Sequence, residues 1–205
     1  MESRIPQQVD LSAYSKGDFD RGAGPLREVL WILASFLLFR LCPFKFSGLK
    51  AAVLRAFGAR VGRGVVLKPN LRITFPWKLT LGNHVWLGED CWLLNLAPIT
   101  IDDHVCISPR AFLCTGNHDY TSPTFDLTTR PIRVERGAWI GAGAFVGPGV
   151  TVGAQAVVCA MSVVTGDLPA RGVFQGNPAM CVKQRSISPP PGSSIKSDLS
   201  SSALT

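Results

Sequence analysis

The 205-residue sequence has few charged residues, no paired-cysteine motif and no long apolar segment. Charged residues make up 17% of the chain and hydrophobic residues 46%, which excludes a disordered or collagen-like protein. The longest apolar run, Val29–Phe39, is well short of the roughly twenty residues that a membrane-spanning helix needs. The polar N-terminus lacks the apolar core of a signal peptide. These features predict one cytoplasmic domain of ordinary size.

The six cysteines form no CxxC motif and no spacing typical of a metal site. We interpret them as reduced residues that fill space, since four lie within the repeat described below. No Walker or Rossmann glycine pattern occurs. The 21 Lys and Arg residues exceed the 14 Asp and Glu residues, which gives a net charge of +7. That mild excess suits an anionic ligand or an acidic membrane surface and does not by itself indicate nucleic acid.

The central part of the chain has a period of six residues. Neither a helix, with a period of 3.6, nor a flat strand, with a period of two, explains it. A coil with three flat sides does, because each aliphatic side chain then points inward and stacks on its copy in the next coil. A small residue often follows four positions later, and the Gly that often follows directly suits the corner geometry. The fifteen aliphatic positions are Val61, Leu67, Ile73, Leu81, Leu87, Leu93, Ile101, Ile107, Leu113, Val134, Ile140, Val146, Val152, Val158 and Val164.

Three hexapeptides make one coil, and the pattern predicts five coils in an all-β fold. A fifteen-residue insertion, 119–133, separates the third coil from the fourth. The predicted organisation is an N-terminal segment with two helices over 1–58, a β-helix over 59–185 and a disordered Ser/Pro/Gly tail over 186–205. The predicted coils are 61–78, 81–98, 101–118, 134–151 and 152–169.

Two helices are predicted before the coils. Residues 26–41 form a helix that is apolar on nearly every side, and it suits either a membrane surface or packing within an oligomer. Residues 47–58 form the second helix, with Ser47 as N-cap and Gly58 as the C′ residue. Its predicted buried stripe is Leu49, Val53 and Phe57, and its predicted solvent-facing residues are Lys50 and Arg55.

Three segments carry a resemblance to a known family. The chain resembles the hexapeptide-repeat acyltransferases, in particular the sugar O-acetyltransferases related to maltose and galactoside acetyltransferases and their colanic-acid biosynthesis branch. The resemblance implies a left-handed parallel β-helix, a homotrimer with active sites between subunits, acetyl-CoA as co-substrate, and a saccharide or lipid-linked glycan acceptor in bacterial exopolysaccharide assembly. The segments are PWKLTLGNHVWLGEDCWLLNLAPITI, GNHDYTSPTFDLTTRPIRVERGAWIGAGAFVGPGVTVGA and FQGNPAMCVKQR.

His118, at the end of the third coil, is the predicted general base. Transfer of an acetyl group to a hydroxyl needs a base, and neutral imidazole suits this role near pH 7. The resemblance gives the His of the NHD element that role; the alternative is a polar residue that closes a coil. The flanking Asn117 and Asp119 could bind the imidazole or the acceptor, or could serve the turn. Asn95 matches an acceptor-binding position of related enzymes, or it caps a corner.

The resemblance also implies a cofactor site. A backbone N–H near Gly141 and Ala142 would stabilise the oxyanion. Trp139 would line the cofactor channel, or it is an outward-facing aromatic residue. The remaining implied contacts are to pantetheine (Ala160, Thr165), near adenine (Asn177 and Pro178, in the GNPA element) and to phosphate (Lys183, Arg185), where the last pair could equally be a solvated basic end.

Three further hypotheses about function remain. His84 and His104 are twenty residues apart and predicted to stack; a metal site would need a third ligand that the sequence does not supply, so no metal is expected. An acyltransferase with a different acceptor would use the same catalytic His. A β-helix that only binds or assembles a polysaccharide-synthesis complex, without catalysis, is the alternative from another functional class.

Overall fold

The computed structural model describes residues 8–41 and 46–188. Most of the predicted tail, 189–205, lies outside the described residues, as do Cys42 and residues 1–7. The three described tail residues, 186–188, have no regular structure. No helix within the described ranges is long and apolar enough to cross a membrane.

The described chain begins with a short 3-10 helix, Leu11–Ala13, and continues with two longer helices. Helix α1, Pro25–Ser35, continues into a π-helical segment, Phe36–Leu41, and helix α2 spans Ser47–Ala56. A second 3-10 helix, Pro76–Lys78, lies at the end of the first coil. The two predicted helices are therefore confirmed to within about two residues.

The solenoid consists of three parallel sheets, with strands numbered along the chain. The first sheet contains β1 (Arg60–Val61), β4 (Leu79–Leu81), β7 (Ile99–Ile101), β12 (Ile132–Val134) and β15 (Thr151–Val152). The second contains β2 (Val66–Leu67), β5 (Trp86–Leu87), β8 (Cys106–Ile107), β13 (Trp139–Ile140), β16 (Val157–Val158), β18 (Gly172–Gly176) and the antiparallel β19 (Ala179–Gln184). The third contains β3 (Arg72–Ile73), β6 (Trp92–Leu94), β9 (Phe112–Cys114), β14 (Phe145–Val146) and β17 (Val163–Val164). A separate hairpin pairs β10 (Gly116–His118) with β11 (Leu127–Thr129).

The predicted coils and their core are confirmed. All fifteen aliphatic positions pair in register with their copies in the adjacent coil, and all except Val61 are buried. Leu168 and β18 add a partial sixth turn beyond the predicted five, and Phe174 extends the second aliphatic stack. The core is thus three columns of stacked aliphatic side chains, one for each sheet.

The recurring Gly serves close approach between coils, so the predicted role in corner geometry was wrong. Gly88 and its equivalents do not adopt positive φ. A Cβ on Gly88 would lie 2.5 Å from the backbone nitrogen of Pro109 in the next coil. The left-handed corner conformation occurs two residues later, at positions such as Asp90 and Arg110. Gly at the repeat position therefore allows successive coils to stack at hydrogen-bonding distance.

The open edge of the first coil is capped by side chains of the two helices. Along the flat sides, the carbonyls of Leu81, Leu87 and Leu93 accept from N–H groups of the first coil. The equivalent carbonyls of the first coil have no preceding coil to accept from. Arg55 donates to Val61 O at 3.0 Å in the first sheet. Lys50 donates to Leu67 O at 3.3 Å in the second sheet, and the Trp31 indole donates to Ile73 O at 2.9 Å in the third. One donor side chain thus caps each sheet.

This cap corrects the prediction for α2. Lys50 is 1% exposed, because its ammonium group lies over the sheet edge, whereas Leu49 is 52% exposed. The buried face is Lys50, Ala51 and Leu54. Ser47 is the first helical residue and not the N-cap, and its hydroxyl accepts from Leu67 N at 3.0 Å. Gly58 has φ of 94° just after the helix, as predicted for a C′ residue.

The described cysteines have free thiols, as predicted. Burial raises the pKa of the Cys91 thiol to about 11. Its sulfur lies 3.1 Å from the carbonyl oxygen of Ser108 in the next coil. At neutral pH this thiol is therefore protonated and acts as a small packing group.

We expect Gly88→Ala to destabilise the fold by about 1–3 kcal/mol, because the new methyl group would meet backbone atoms that cannot move aside. Gly48→Ala in α2 is the matched control, since a Cβ there meets nothing within 4 Å. It should leave stability unchanged or raise it by up to about 1 kcal/mol. Chemical denaturation at one protein concentration measures both. Equal effects of the two substitutions would contradict the close-approach role.

Candidate active site

His118 lies on the hairpin that leaves the solenoid after the third coil. It ends β10 and pairs with Leu127 of β11. Its Nδ1 lies 2.9 Å from the carbonyl oxygen of Phe125, and its ring stacks on the Phe125 ring with centroids 4.5 Å apart and planes at 9°. Two independent contacts therefore fix the orientation of the imidazole.

The contact with Phe125 O determines which nitrogen of His118 carries the proton. A carbonyl oxygen can only accept, so Nδ1 must donate. In the neutral imidazole Nε2 then has the free lone pair and can accept a proton. This is the tautomer that a general base in contact with a hydroxyl requires.

An N-terminal strap, residues 10–16, crosses the inserted loop beside His118. The Asp10 N–H donates to Pro123 O at 2.8 Å, and the Leu127 N–H donates to Ser15 O at 3.4 Å. Between these contacts the Tyr14 ring lies 5.9 Å from the His118 ring, at 56°. Tyr14 is not among the site residues predicted from sequence, because no local pattern links two residues about a hundred positions apart.

The neighbours of His118 differ in what they contact. Asp119 accepts from the backbone N–H and the hydroxyl of Thr121, and these bonds lower the pKa of its carboxyl group. Those contacts support the turn alternative for Asp119. Asn117 is exposed and lines a groove beside the hairpin.

Asn95 is fully buried and both ends of its amide are bonded. Its Oδ1 accepts from Phe75 N at 2.9 Å, and its Nδ2 donates to Phe75 O at 2.6 Å. Because the side chain is 0% exposed, an acceptor could contact it only if the corner opened. The contacts therefore favour the corner-capping alternative over acceptor binding.

The groove beside the hairpin joins the inserted loop to the third sheet. It has a volume of about 510 Å³. It also contains Thr165, one of the residues implied to contact pantetheine. Polar side chains and the Phe145 ring share this groove, so it can offer both hydrogen bonds and an apolar wall. Its lining residues are Gly116, Asn117, Thr128, Arg130, Phe145, Gly147, Pro148 and Thr165.

The other implied cofactor residues lie on the second sheet and its edge. Trp139 is 46% exposed and its indole donates to the Ser108 hydroxyl at 2.8 Å. Trp139, Lys183 and Arg185 line a groove of about 720 Å³. The Arg185 guanidinium donates to Gly137 O and Gln155 O, so it also anchors the end of β19 to the solenoid.

The implied oxyanion donor lies at the corner between the second and third sheets. The Gly141 N–H donates to Val158 O at 2.8 Å and is already used by the coil ladder. The Ala142 N–H has no acceptor among the described residues, so it is the available donor of the pair. Ala160 lies at the same corner one coil later, and Asn177 and Pro178 form the turn between β18 and β19.

The site residues thus fall into two groups on different edges of the solenoid. His118, Asn117 and Thr165 lie where the third sheet meets the first. Ala142 and Ala160 lie where the second sheet meets the third. Within one chain the structure does not bring the two groups together.

The predicted stack of His84 and His104 is present, with ring centroids 5.2 Å apart and planes at 15°. Both residues occupy corners with positive φ. No group of three or more His, Cys, Asp or Glu side chains suited to a metal ion occurs within 8–41 and 46–188. The stack is a surface feature in this single chain.

Comparison with known proteins identifies the family. The chain is 41% identical over 176 residues to an Escherichia coli K12 protein that carries the name colanic acid biosynthesis acetyltransferase WcaF; the match covers 86% of this chain and 97% of that protein. The chain belongs to the hexapeptide-repeat acetyltransferases. No family model matches it.

Solved structures of acetyltransferases share the fold. A hexapeptide-repeat acetyltransferase from Vibrio cholerae is 30% identical, with a TM-score of 0.69 over 79% of this chain and 94% of that one. A maltose O-acetyltransferase from Clostridium difficile 630 is 26% identical, with a TM-score of 0.69 over 79% of this chain and 88% of that one. A second structure of the Vibrio cholerae protein contains acetyl coenzyme A; it aligns with a TM-score of 0.74 at 24% identity, over 84% of this chain and 96% of that one.

Tyr14→Ala should raise the KM for the acceptor more than the KM for acetyl-CoA, because the ring lies against His118 on the inserted loop. Losing one aromatic contact corresponds to roughly a three- to tenfold change. Steady-state kinetics with each substrate varied in turn measures both constants. Tyr120→Ala is the matched control, since Tyr120 is 79% exposed on the same loop. An equal change in both KM values would show that Tyr14 acts only on loop structure.

Proposed function

We propose that this protein is an acetyl-CoA-dependent O-acetyltransferase acting on a saccharide, with His118 as general base. The observation that carries the proposal is the bond between His118 Nδ1 and Phe125 O, which leaves Nε2 as the proton acceptor. A histidine that merely closed a coil would not need its Nδ1 to be held by the carbonyl of Phe125 on an inserted hairpin. The identity of the base and the O-acetyl specificity are both parts of the proposal.

The reaction follows from the available groups. His118 Nε2 takes the proton of the acceptor hydroxyl as its oxygen attacks the thioester carbonyl carbon. The Ala142 N–H donates to the oxygen that becomes negatively charged. When the tetrahedral centre collapses, the carbon–sulfur bond breaks and the proton on His118 passes to the departing thiolate. The products are the acetyl ester and the free thiol.

The acceptor class is supported by the groove and by the relatives. Asn117, Thr128 and Arg130 provide hydrogen-bonding groups, and Phe145 provides an aromatic face, a combination that suits a sugar ring. The names of the Escherichia coli relative and of the Clostridium difficile structure refer to saccharide substrates or pathways. We therefore propose a glycan of bacterial exopolysaccharide assembly as acceptor.

We further propose a homotrimer in which each site is shared by two chains. His118 and Ala142 lie on different edges of one solenoid, so they act on one substrate only if the edges belong to neighbouring chains. Side-by-side solenoids bring such edges together. The exposed Trp86, Trp92 and Trp139 on the outer faces are typical of residues that become covered at interfaces.

His118→Ala should lower kcat by roughly 10²–10⁴-fold, because the reaction loses its general base. Turnover of acetyl-CoA with a panel of saccharides, and mass spectrometry for the gain of one acetyl group, measure the effect. His104→Ala is the matched control, since it removes an imidazole from a surface stack outside the proposed site. Full activity in His118→Ala would exclude this residue as base.

A mixing experiment tests the shared site. Ala142→Arg should block the proposed cofactor site at the corner between the second and third sheets, because Ala142 is exposed there and its N–H is the proposed oxyanion donor. Trimers refolded from a mixture of His118→Ala and Ala142→Arg chains would contain some sites with both edges intact and should regain part of the activity. Absence of any regain would contradict a site shared between chains.

Acetyl-CoA should raise the melting temperature of the wild-type protein in a saturable manner. A ligand that binds only the folded protein adds about 2.7 kcal/mol of stability at one hundred times its Kd. Thermal unfolding with acetyl-CoA, with CoA and with ATP as a phosphate-bearing control measures this. No shift at millimolar acetyl-CoA would favour the non-catalytic binding module over the enzyme.

A further inference from the structure

The cap of the solenoid has an apolar outer face. Helix α1 and the π-helical segment bury Trp31, Leu38 and Phe39 against the first coil. On the other side, large apolar side chains are between 49% and 74% exposed. Their spacing follows i, i+3, i+4 and i+7, the pattern of a helix face that is buried. They are Leu26, Val29, Leu30, Ile32, Leu33, Phe36 and Leu37.

This outer face points away from the end of the solenoid. Both helices place side-chain donors on the carbonyls at the open edge of the first coil, so both lie across that end. Their opposite faces therefore point outward along the solenoid axis. Phe46 and Leu49 of the second helical region, 58% and 52% exposed, extend the apolar surface. We call these exposed residues together the end face: Leu26, Val29, Leu30, Ile32, Leu33, Phe36, Leu37, Phe46 and Leu49.

Positive charges border the end face. Arg40 and Arg72 line a groove of about 310 Å³ together with Ile32 and Phe36. Arg27, on α1 itself, is exposed, but its guanidinium donates to Phe57 O at 2.7 Å and lies over the Trp77 ring, so it is already engaged by the solenoid. The acidic residue of α1, Glu28, is paired with Arg21 at 2.9 Å, so its charge is offset. The Arg72 guanidinium lies over the Trp92 ring of the next coil, 5.6 Å from its centroid. A groove that combines arginine with apolar side chains suits a phosphate group attached to an acyl chain.

We propose that the end face docks on a bilayer surface containing anionic lipids. The apolar side chains would enter the boundary between headgroups and acyl chains, and Arg40 and Arg72 would bind lipid phosphate. A second copy of the chain is a poorer occupant. A two-fold axis through the face would bring Arg40 and Arg72 of the two chains together, while Glu28 is already paired with Arg21, which is unfavourable.

Vesicle flotation of the full chain tests the proposal. The probes are vesicles of phosphatidylcholine and vesicles of phosphatidylcholine mixed with phosphatidylglycerol, with no acetyl-CoA present. We expect flotation with the mixed vesicles and at least tenfold weaker partitioning for the double substitution Leu30→Glu, Leu33→Glu. Arg40→Gln and Arg72→Gln should each weaken partitioning roughly fivefold, and only for the anionic vesicles.

The control is Ile187→Glu, the same kind of change at a residue that is 58% exposed near the other end of the solenoid. It should leave flotation unchanged. Because Leu30 and Leu33 are exposed, the double variant should retain the wild-type circular dichroism spectrum and melting temperature. Absence of flotation by the wild type, or equal flotation of all variants, would overturn the proposal. A lower mass of the double variant by light scattering, without vesicle binding by the wild type, would overturn it in favour of self-association.

Discussion

On each flat side of the solenoid, the carbonyl of the aliphatic repeat residue, such as that of Leu81, Leu87 or Leu93, accepts from an N–H group of the preceding coil, and this requirement determines how the molecule must begin. At the first coil the carbonyls have no strand to pair with. An apolar helix laid over that edge would leave them unsatisfied, at a cost of about 1–3 kcal/mol each. Arg55, Lys50 and Trp31 supply the missing donors, one for each sheet. The cap therefore needs cationic and indole side chains at positions where a simple amphipathic helix would have aliphatic ones.

The regular ladder also explains where chemistry can occur. Within a coil, inward positions are filled by the aliphatic columns and the coil ladder uses backbone groups, so a regular coil has few free polar atoms. The inserted hairpin interrupts that order after the third coil. His118, Phe125 and the N-terminal strap meet there because the hairpin offers backbone groups that the ladder does not use. At the corner between the second and third sheets, the Ala142 N–H has no acceptor among the described residues.

The period of six could be predicted from sequence because the solenoid repeats one local environment. The same requirement for an inward-facing aliphatic side chain therefore recurs at fifteen positions. The insertion followed from the interruption of that period, whereas the predicted role of His118 came from the resemblance of its NHD element. The burial of Lys50 could not be predicted, because its partner is a backbone carbonyl at a sheet edge, which no side-chain pattern reveals. For Asn95 the sequence left acceptor binding and corner capping open, and its bonds to the Phe75 backbone favour capping. The contact of Tyr14 with His118 could not be predicted for a different reason: it joins segments far apart in sequence. The recurring Gly was recognised but misinterpreted. A close approach of two backbones and a positive φ both require Gly, and the sequence alone does not distinguish the two.

The N-terminal segment links the cap to the inserted hairpin. Residues 10–16 lie on the hairpin of the third coil; Trp77 then donates to Arg21 O at 2.6 Å, and α1 begins at Pro25 over the first coil. Two coil steps of about 4.8 Å and one helix layer of about 10 Å separate the hairpin from the end face, roughly 20 Å in all. With the end face on a bilayer, His118 would stand that far from the boundary between headgroups and acyl chains. A hydroxyl on a lipid-linked glycan reaches this height only when several sugars separate it from the lipid phosphate. The geometry therefore favours an oligosaccharide already extended on its carrier over the first sugar attached to it.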